Sequence, residues 1–218
     1  MTQLTDIWPV LGLTLTTPRL QLRPVADAHI PAMVDAVLSG IHDPDASPFS
    51  FPWTDAPREE LPRNTAAHVW HQRAKTTAGS WSLLFGVWQG DDFAGCQELL
   101  ATTFAETRTV STGSWLKRSA QGQGLGTEMR TAVVLYAFDF LGAEVAESEA
   151  FDFNSASLGV SRSLGYEPNG VWRHSSGRDH VRSMQRMRLT PELFRRPDWS
   201  LETAGHLAAA RFLGLEDA

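Results

Sequence analysis

Three glycines stand at alternate positions in Gln121-Gly122-Gln123-Gly124-Leu125-Gly126-Thr127. Directly behind them, Leu125, Met129, Ala132, Val133, Tyr136 and Phe140 recur at steps of three and four, which predicts a helix over 124–142. Glycines let a backbone turn tightly and approach a ligand without side chains in the way. The first amides of a helix have no partners inside it and lie at the positive end of its dipole. Together these features make a site for an anion such as a pyrophosphate. The spacing excludes two familiar alternatives. No lysine follows the glycines as a nucleoside-triphosphate loop needs, and Gly122-x-Gly124-x-Gly126 is one residue shorter than the dinucleotide fingerprint. A glycine turn with no ligand is the plain alternative.

The elements that must position this loop read as follows. Residues 14–24, which alternate apolar and polar after Pro18, read as one strand ending at Pro24, and Asp27 caps a helix that stops at Gly40. Residues 40–63 are rich in Pro, Asp and Ser, with Phe49, Phe51 and Trp53 interleaved, and read as a loop folded over something. A short helix from Asn64 holds His68, His71 and Lys75. Strands are expected at 81–88, 92–103 and 108–118, then 144–151 after the glycine-led helix. A second helix, Asn154 to Leu164, ends at Gly165. Strands at 167–174 and 181–189 follow, with Ser176-Gly177 in the turn between them. The order implies an α+β fold, a mixed, mostly antiparallel sheet of about six to seven strands with helices on both faces. Residues 1–190 would form the main domain. Residues 191–218 would be a helical extension, packed on that domain or on a partner subunit in a homodimer or higher homo-oligomer.

The 218 residues carry a net charge of −6, which argues against a phosphate-gripping nucleic-acid groove. A single cysteine, Cys96, permits no internal disulfide and favours a cytoplasmic setting. Neither a signal peptide nor a run long enough to cross a bilayer is evident, so no membrane partner is expected. His68 and His71 sit three apart with no third ligand in view, so no metal is expected.

Gln121-x-x-Gly124-x-Gly126 resembles the Gln/Arg-x-x-Gly-x-Gly/Ala signature of the GNAT superfamily. Gly113-Ser-Trp-Leu116, Asn154-x-x-Ser157 running on to Leu164-Gly165-Tyr166, and Thr17-Pro-Arg-Leu20 with Leu22-Arg-Pro24 resemble its RimJ/RimL-type branch. The resemblance spans roughly residues 14–190. It implies the GNAT fold, splayed at a site for acetyl-CoA or another acyl-CoA such as succinyl-CoA. It further implies direct transfer to a primary amine, whether a protein N-terminus, a lysine or a small amine. On this reading the backbone of Leu116, Lys117 and Arg118 would pair with the pantetheine arm. Residues Gln121, Gly122, Gln123, Gly124, Leu125, Gly126 and Thr127 would hold the pyrophosphate, Asn154 would reach the pantetheine, and Arg162 could meet a coenzyme phosphate.

The same resemblance places Ser157 near the departing sulfur and offers Glu98, then Glu149, as the base. Many members carry a tyrosine four residues before the glycine that ends the second helix. Here that position is Ser161, and the two tyrosines, Tyr136 and Tyr166, lie elsewhere. Two other readings stay open: a non-catalytic acyl-CoA-binding regulatory module on the same fold, and an interaction protein that uses the tail.

Overall fold

The computed structural model describes residues 1–43, 47–175 and 181–215. A short helix, α1 (Leu4–Ile7), leads into the first hairpin. The expected single strand over 14–24 is two, β1 (Thr14–Thr16) and β2 (Gln21–Pro24). The break is local. Pro18 has no amide to give, and Thr17 closes a turn on Leu20 through Thr17 N to Leu20 O at 2.9 Å and Leu20 N to Thr17 Oγ1 at 3.0 Å. Helix α2 (Ile30–Leu38) follows a 3-10 turn at Asp27–His29. Helix α3 runs from Leu61 to Lys75, three residues earlier than Asn64, because Pro62 suits a first helical turn.

Strands β3 (Trp81–Gln89) and β4 (Asp92–Ala101) form a hairpin about Gly90 at φ +61°. One turn of helix, α4 (Phe104–Thr107), leads to β5 (Thr109–Leu116). The glycine-led helix is α5 (Leu125–Leu135), which widens into a π-helical turn over Tyr136–Phe140. Then come β6 (Val145–Phe151), α6 (Ser155–Leu164), β7 (Glu167–Ser175) and β8 (Val181–Leu189). The expected turn at Ser176-Gly177 lies outside the described residues. The tail is not helical throughout: Glu202–Ala204 form β9 against β1, and among its described residues only His206–Phe212 form a helix, α7.

The nine strands of the described residues lie in one sheet, ordered β7-β8-β6-β5-β4-β3-β2-β1-β9. The count exceeds the expected six or seven because the first strand is split and the tail adds one. Every neighbouring pair is antiparallel except β5 and β6. The larger core, including Leu125, Val133, Leu158, Ala209 and Leu213, lies between the sheet, α5, α6 and the tail. A smaller one, with Val25, Met33, Val69, Phe93 and Cys96, lies under α2 and α3 on the other face.

Candidate functional site

Strands β5 and β6 pair only over Thr109–Ser111 and Val145–Glu147. Beyond that point β5 stays with β4 as far as Leu116 opposite Gly95, and β6 stays with β8 as far as Phe151 opposite Met184. The sheet therefore opens into a cleft of about 1120 Å³ that reaches from the glycine loop to the aromatic loop at Phe49. Gly95 lets β5 lean onto β4, since a Cβ there would stand 2.2 Å from Trp115 O.

The glycine loop lies at the mouth of this cleft. Gly122 and Gly124 have φ of +73° and +77°, values that favour glycine. From Gly122 to Thr127 no backbone amide donates to a partner among the described residues, and the first one engaged is Glu128 N on Gly124 O at 3.1 Å. Six consecutive donors thus remain for an anion. Gln121 plays a different part. Its amide bonds Arg118 O, and its side-chain Nε2 ties Ile41 O at 2.7 Å to Leu116 O at 2.8 Å, which anchors the loop to the end of β5.

A second anchor was not foreseen in the sequence. The buried Glu128 carboxylate accepts from Thr17 Oγ1 at 2.6 Å, Arg19 N at 3.0 Å and Arg19 Nε at 2.6 Å. Arg19 in turn donates Nη1 to Gln123 O at 3.0 Å. The first hairpin therefore holds the glycine loop in place, with a cation beside Gly124. The available signal was a carboxylate in the first turn of a helix whose last turn, Ala132 to Leu135, is wholly apolar.

The other expected ligand contacts divide. The amides of Lys117 and Arg118 are already spent on Ala94 O and Gly40 O, and Lys117 Nζ pairs with Asp92. What this segment offers a ligand is the edge of β5 up to Leu116. Asn154 lines the cleft and caps α6, its Oδ1 accepting from Ser157 N at 3.1 Å. The hydroxyl of Ser157 lines the cleft without bonding its own helix, in contrast to Ser161, which donates to Ser157 O. Arg162 is exposed and outside the cleft lining.

Opposed residues of paired strands share a face, so Glu98, Gly113, Ser111, Glu147, Glu149 and Arg186 stand on the side covered by α2 and α3. Glu149 is exposed at the cleft. Glu98 sits behind Gly113 and outside the lining, where its Oε1 accepts from Ser82 Oγ and from Gln72 Nε2 at 2.8 Å. His68 on α3 is held below the ordinary imidazole value, first by desolvation, against the pull of Glu98 and with help from His71. The described part of the loop expected over 40–63 lies across this face up to the start of α3 at Leu61, with Trp53 6.3 Å from Trp115 between ring centroids. Phe49 and Ser50 line the cleft, Phe49 packs on Trp53 with centroids 5.2 Å apart, and His174 Nε2 meets Ser50 O at 3.0 Å.

The opposite face of the cleft holds a buried polar cluster, also unforeseen. Arg130 on α5 is 3% exposed. It donates Nη1 to Ser148 Oγ on β6 at 3.0 Å and Nη2 to Ser114 Oγ on β5 at 3.2 Å. Its guanidinium thus spans the gap between the parted strands. Its pKa is pulled down by burial, against the neighbouring Tyr166. Among the described residues no group of three His, Cys, Asp or Glu is placed to hold a metal, and no helix is long and apolar enough to cross a membrane.

Comparison with known proteins agrees with this geometry. Residues 19–167 match the model of the acetyltransferase (GNAT) domain. The fold resembles that of Mycobacterium smegmatis RimJ in complex with CoA-disulfide, with a TM-score of 0.72 at 20% identity over 94% of this chain and 97% of the other. It also resembles RimL, the ribosomal L7/L12 α-N-protein acetyltransferase, in complex with coenzyme A (TM-score 0.58, 18% identity, 80% and 95% covered). A third likeness is to the microcin C7 self-immunity acetyltransferase MccE with acetyl-CoA and AMP (TM-score 0.61, 11% identity, 80% and 93% covered).

Proposed function

We propose, from the premise that this chain belongs to the GNAT acetyltransferase family, that it carries an acyl group from coenzyme A directly to a primary amine, with acetyl as the simplest cargo and succinyl as the larger one. The observation that carries this reading is the run of unspent amides from Gly122 to Thr127 at the mouth of the gap between β5 and β6. These amides would hold the pyrophosphate. The free edge of β5 up to Leu116 and the side chain of Asn154 would take the pantetheine arm, so that the thioester enters the gap. An edge amide of β5 is fixed in advance, as an oxyanion donor must be.

Transfer forms a C–N bond, breaks the C–S bond, and moves the amine's proton to the departing thiolate. Glu149 is open to the cleft and on the face from which an amine would come. It is therefore the better placed base, with Glu98 acting behind Gly113 through water. Ser157 Oγ would orient the thiolate, because a hydroxyl is too weak an acid to do more. By analogy with RimL the acceptor would be a protein α-amine, seated between the aromatic loop at Phe49 and the carboxylates Glu147 and Glu149. The tail from 191 onward would pack on this domain in a homo-oligomer, which light scattering can count.

The test is calorimetric titration with coenzyme A, followed by thiol release from acyl-CoA over a panel of amines and N-terminal peptides. Replacing Gly124 with Val forces a β-branched residue into φ +77°. Unchanged coenzyme affinity in that variant would sink the loop assignment. Tight binding with no thiol release across the panel would favour the non-catalytic module.

A further inference from the structure

A buried charge is normally paired or bound to a ligand, because leaving water is costly for it. Arg130 departs from this pattern. It is 3% exposed, and no carboxylate among the described residues lies within 4 Å of it. Its partners are two neutral hydroxyls, Ser114 Oγ and Ser148 Oγ. Among the described residues its Nε makes no hydrogen bond, and the buried Tyr166 hydroxyl beside the guanidinium is a third neutral neighbour, kept protonated by burial, that brings no negative charge. The acidic residues opposite it do not answer this charge, since Glu98, Glu147 and Glu149 share the other face of the sheet. Arg130, Ser114 and Ser148 all line the cleft, and Ser114 is two residues from the end of β5 at Leu116. A guanidinium is thus held, with no carboxylate beside it among the described residues, next to the place where the thioester would lie.

We propose that Arg130, supported by Ser114 and Ser148, binds the carboxylate of a short dicarboxylic acyl chain, so that the preferred donor is a coenzyme A thioester whose acyl group ends in a carboxylate, of malonyl to glutaryl length. This rests on the coenzyme reading of the glycine loop. Guanidinium and carboxylate match in shape and charge, and a charged hydrogen bond in a dry site outweighs a neutral one. A methyl-ended acyl group would bury its methyl against an unanswered cation. The strand serines would then serve to hold the guanidinium flat across the gap, where an incoming carboxylate meets its remaining N–H.

The experiment titrates the full chain with CoA, acetyl-CoA, succinyl-CoA and the neutral isostere in which the succinyl carboxylate is a carboxamide, then repeats the series with Arg130→Met and Arg130→Lys. Succinyl-CoA should bind at least about tenfold more tightly than acetyl-CoA or the carboxamide. The ratio should collapse in R130M and recover in part in R130K. The carboxamide comparison uses the wild-type chain and stands even if R130M does not fold. Equal affinity for succinyl-CoA and the carboxamide, or a ratio unchanged in R130M, overturns the inference while CoA binding leaves the glycine loop intact. Failure of CoA itself to bind overturns both.

Discussion

Glu128 joins the first hairpin to the glycine loop, and its replacement by Gln isolates that link without changing the shape of the side chain. The amide oxygen can still accept from Thr17 Oγ1 and Arg19 N, as Oε1 does now at 2.6 and 3.0 Å. The amide nitrogen, standing where Oε2 stands, would face Arg19 Nε–H donor to donor across 2.6 Å. One charge-assisted bond is lost, worth roughly 1.5–3 kcal/mol when buried. The Arg19 side chain is 46% exposed and can swing into water, so the net cost is discounted to about 1–2 kcal/mol. For a chain of this size that is a fall in Tm of about 2–8 °C. A freed Arg19 also releases Gln123 O, so the loop loses order before it meets an anion. If half to all of that energy is repaid on binding, coenzyme affinity falls by roughly two- to thirtyfold. Differential scanning calorimetry and isothermal titration with CoA read the two effects separately. An E128Q protein with unchanged Tm and unchanged CoA affinity would refute the idea that the hairpin organises the loop.

Gly95→Ala places a methyl 2.2 Å from Trp115 O and 2.8 Å from Leu116 Cα, so β5 must shift at the cleft edge. Overpacking of this kind costs about 1–3 kcal/mol. Both Tm and acyl-CoA affinity should drop, and a variant as stable as wild type would show that the approach of β5 to β4 is not tight. His206 has a pKa below the ordinary imidazole value because of burial beside the Tyr136 hydroxyl, 3.3 Å from its Nδ1. The unfolded chain then binds the proton more readily, so the stability tied to a neutral His206 is present above its ordinary value of 6.5 and is lost as pH falls through the lower folded value. H206Q should flatten that part of a Tm-against-pH curve, and an identical slope in the variant would reject the assignment. Burial, and then Glu98, push the Cys96 thiol well above its usual range. Mass spectrometry should find it unmodified by iodoacetamide at pH 8 in the native protein and alkylated once in denaturant.

The glycine loop was legible because its causes are short-range: glycine at positive φ and an amphipathic run directly behind it. The Gly165 stop was legible for the same reason, whereas the capping of that helix by Asn154 shows only in the structure. The division of 14–24 into two strands was not, because the clear alternation of Leu20 and Leu22 drew in Leu15, although it falls out of phase with them across the turn closed by Thr17. Strand β9 was read as helix because three residues, Glu202–Ala204, are ordered by pairing with β1, far away in sequence. Arg19, Glu128 and Arg130 were missed for a related reason. Counting apolar residues around α5 finds the core-facing ones, yet every residue from Glu128 to Leu135 is buried. On a helix buried all round, the charged positions are the informative ones, and their partners lie in the first hairpin's turn, for Glu128, and on β5 and β6, for Arg130, all more than a dozen residues away.

The cleft itself follows from topology. The strands β5 and β6 are parallel neighbours, so the chain must cross over between them, and α5 is that crossover. The start of the helix therefore has to lie at one end of these two strands, and the strands are free to separate there because each keeps its other partner: seven residue pairs tie β5 to β4, and six tie β6 to β8. The unpaired edges are a liability in water. Here Arg130 occupies part of the space between them and bonds a serine on each side. Gln121 closes the open end of β5 by binding Leu116 O. The gap is thus built with polar contacts that a hydrophobic wedge would not provide, at the cost of a buried cation with no carboxylate beside it among the described residues. That cost has a physical reason if the gap is meant to be filled by a ligand that is itself strand-like in its amides and negative at its end.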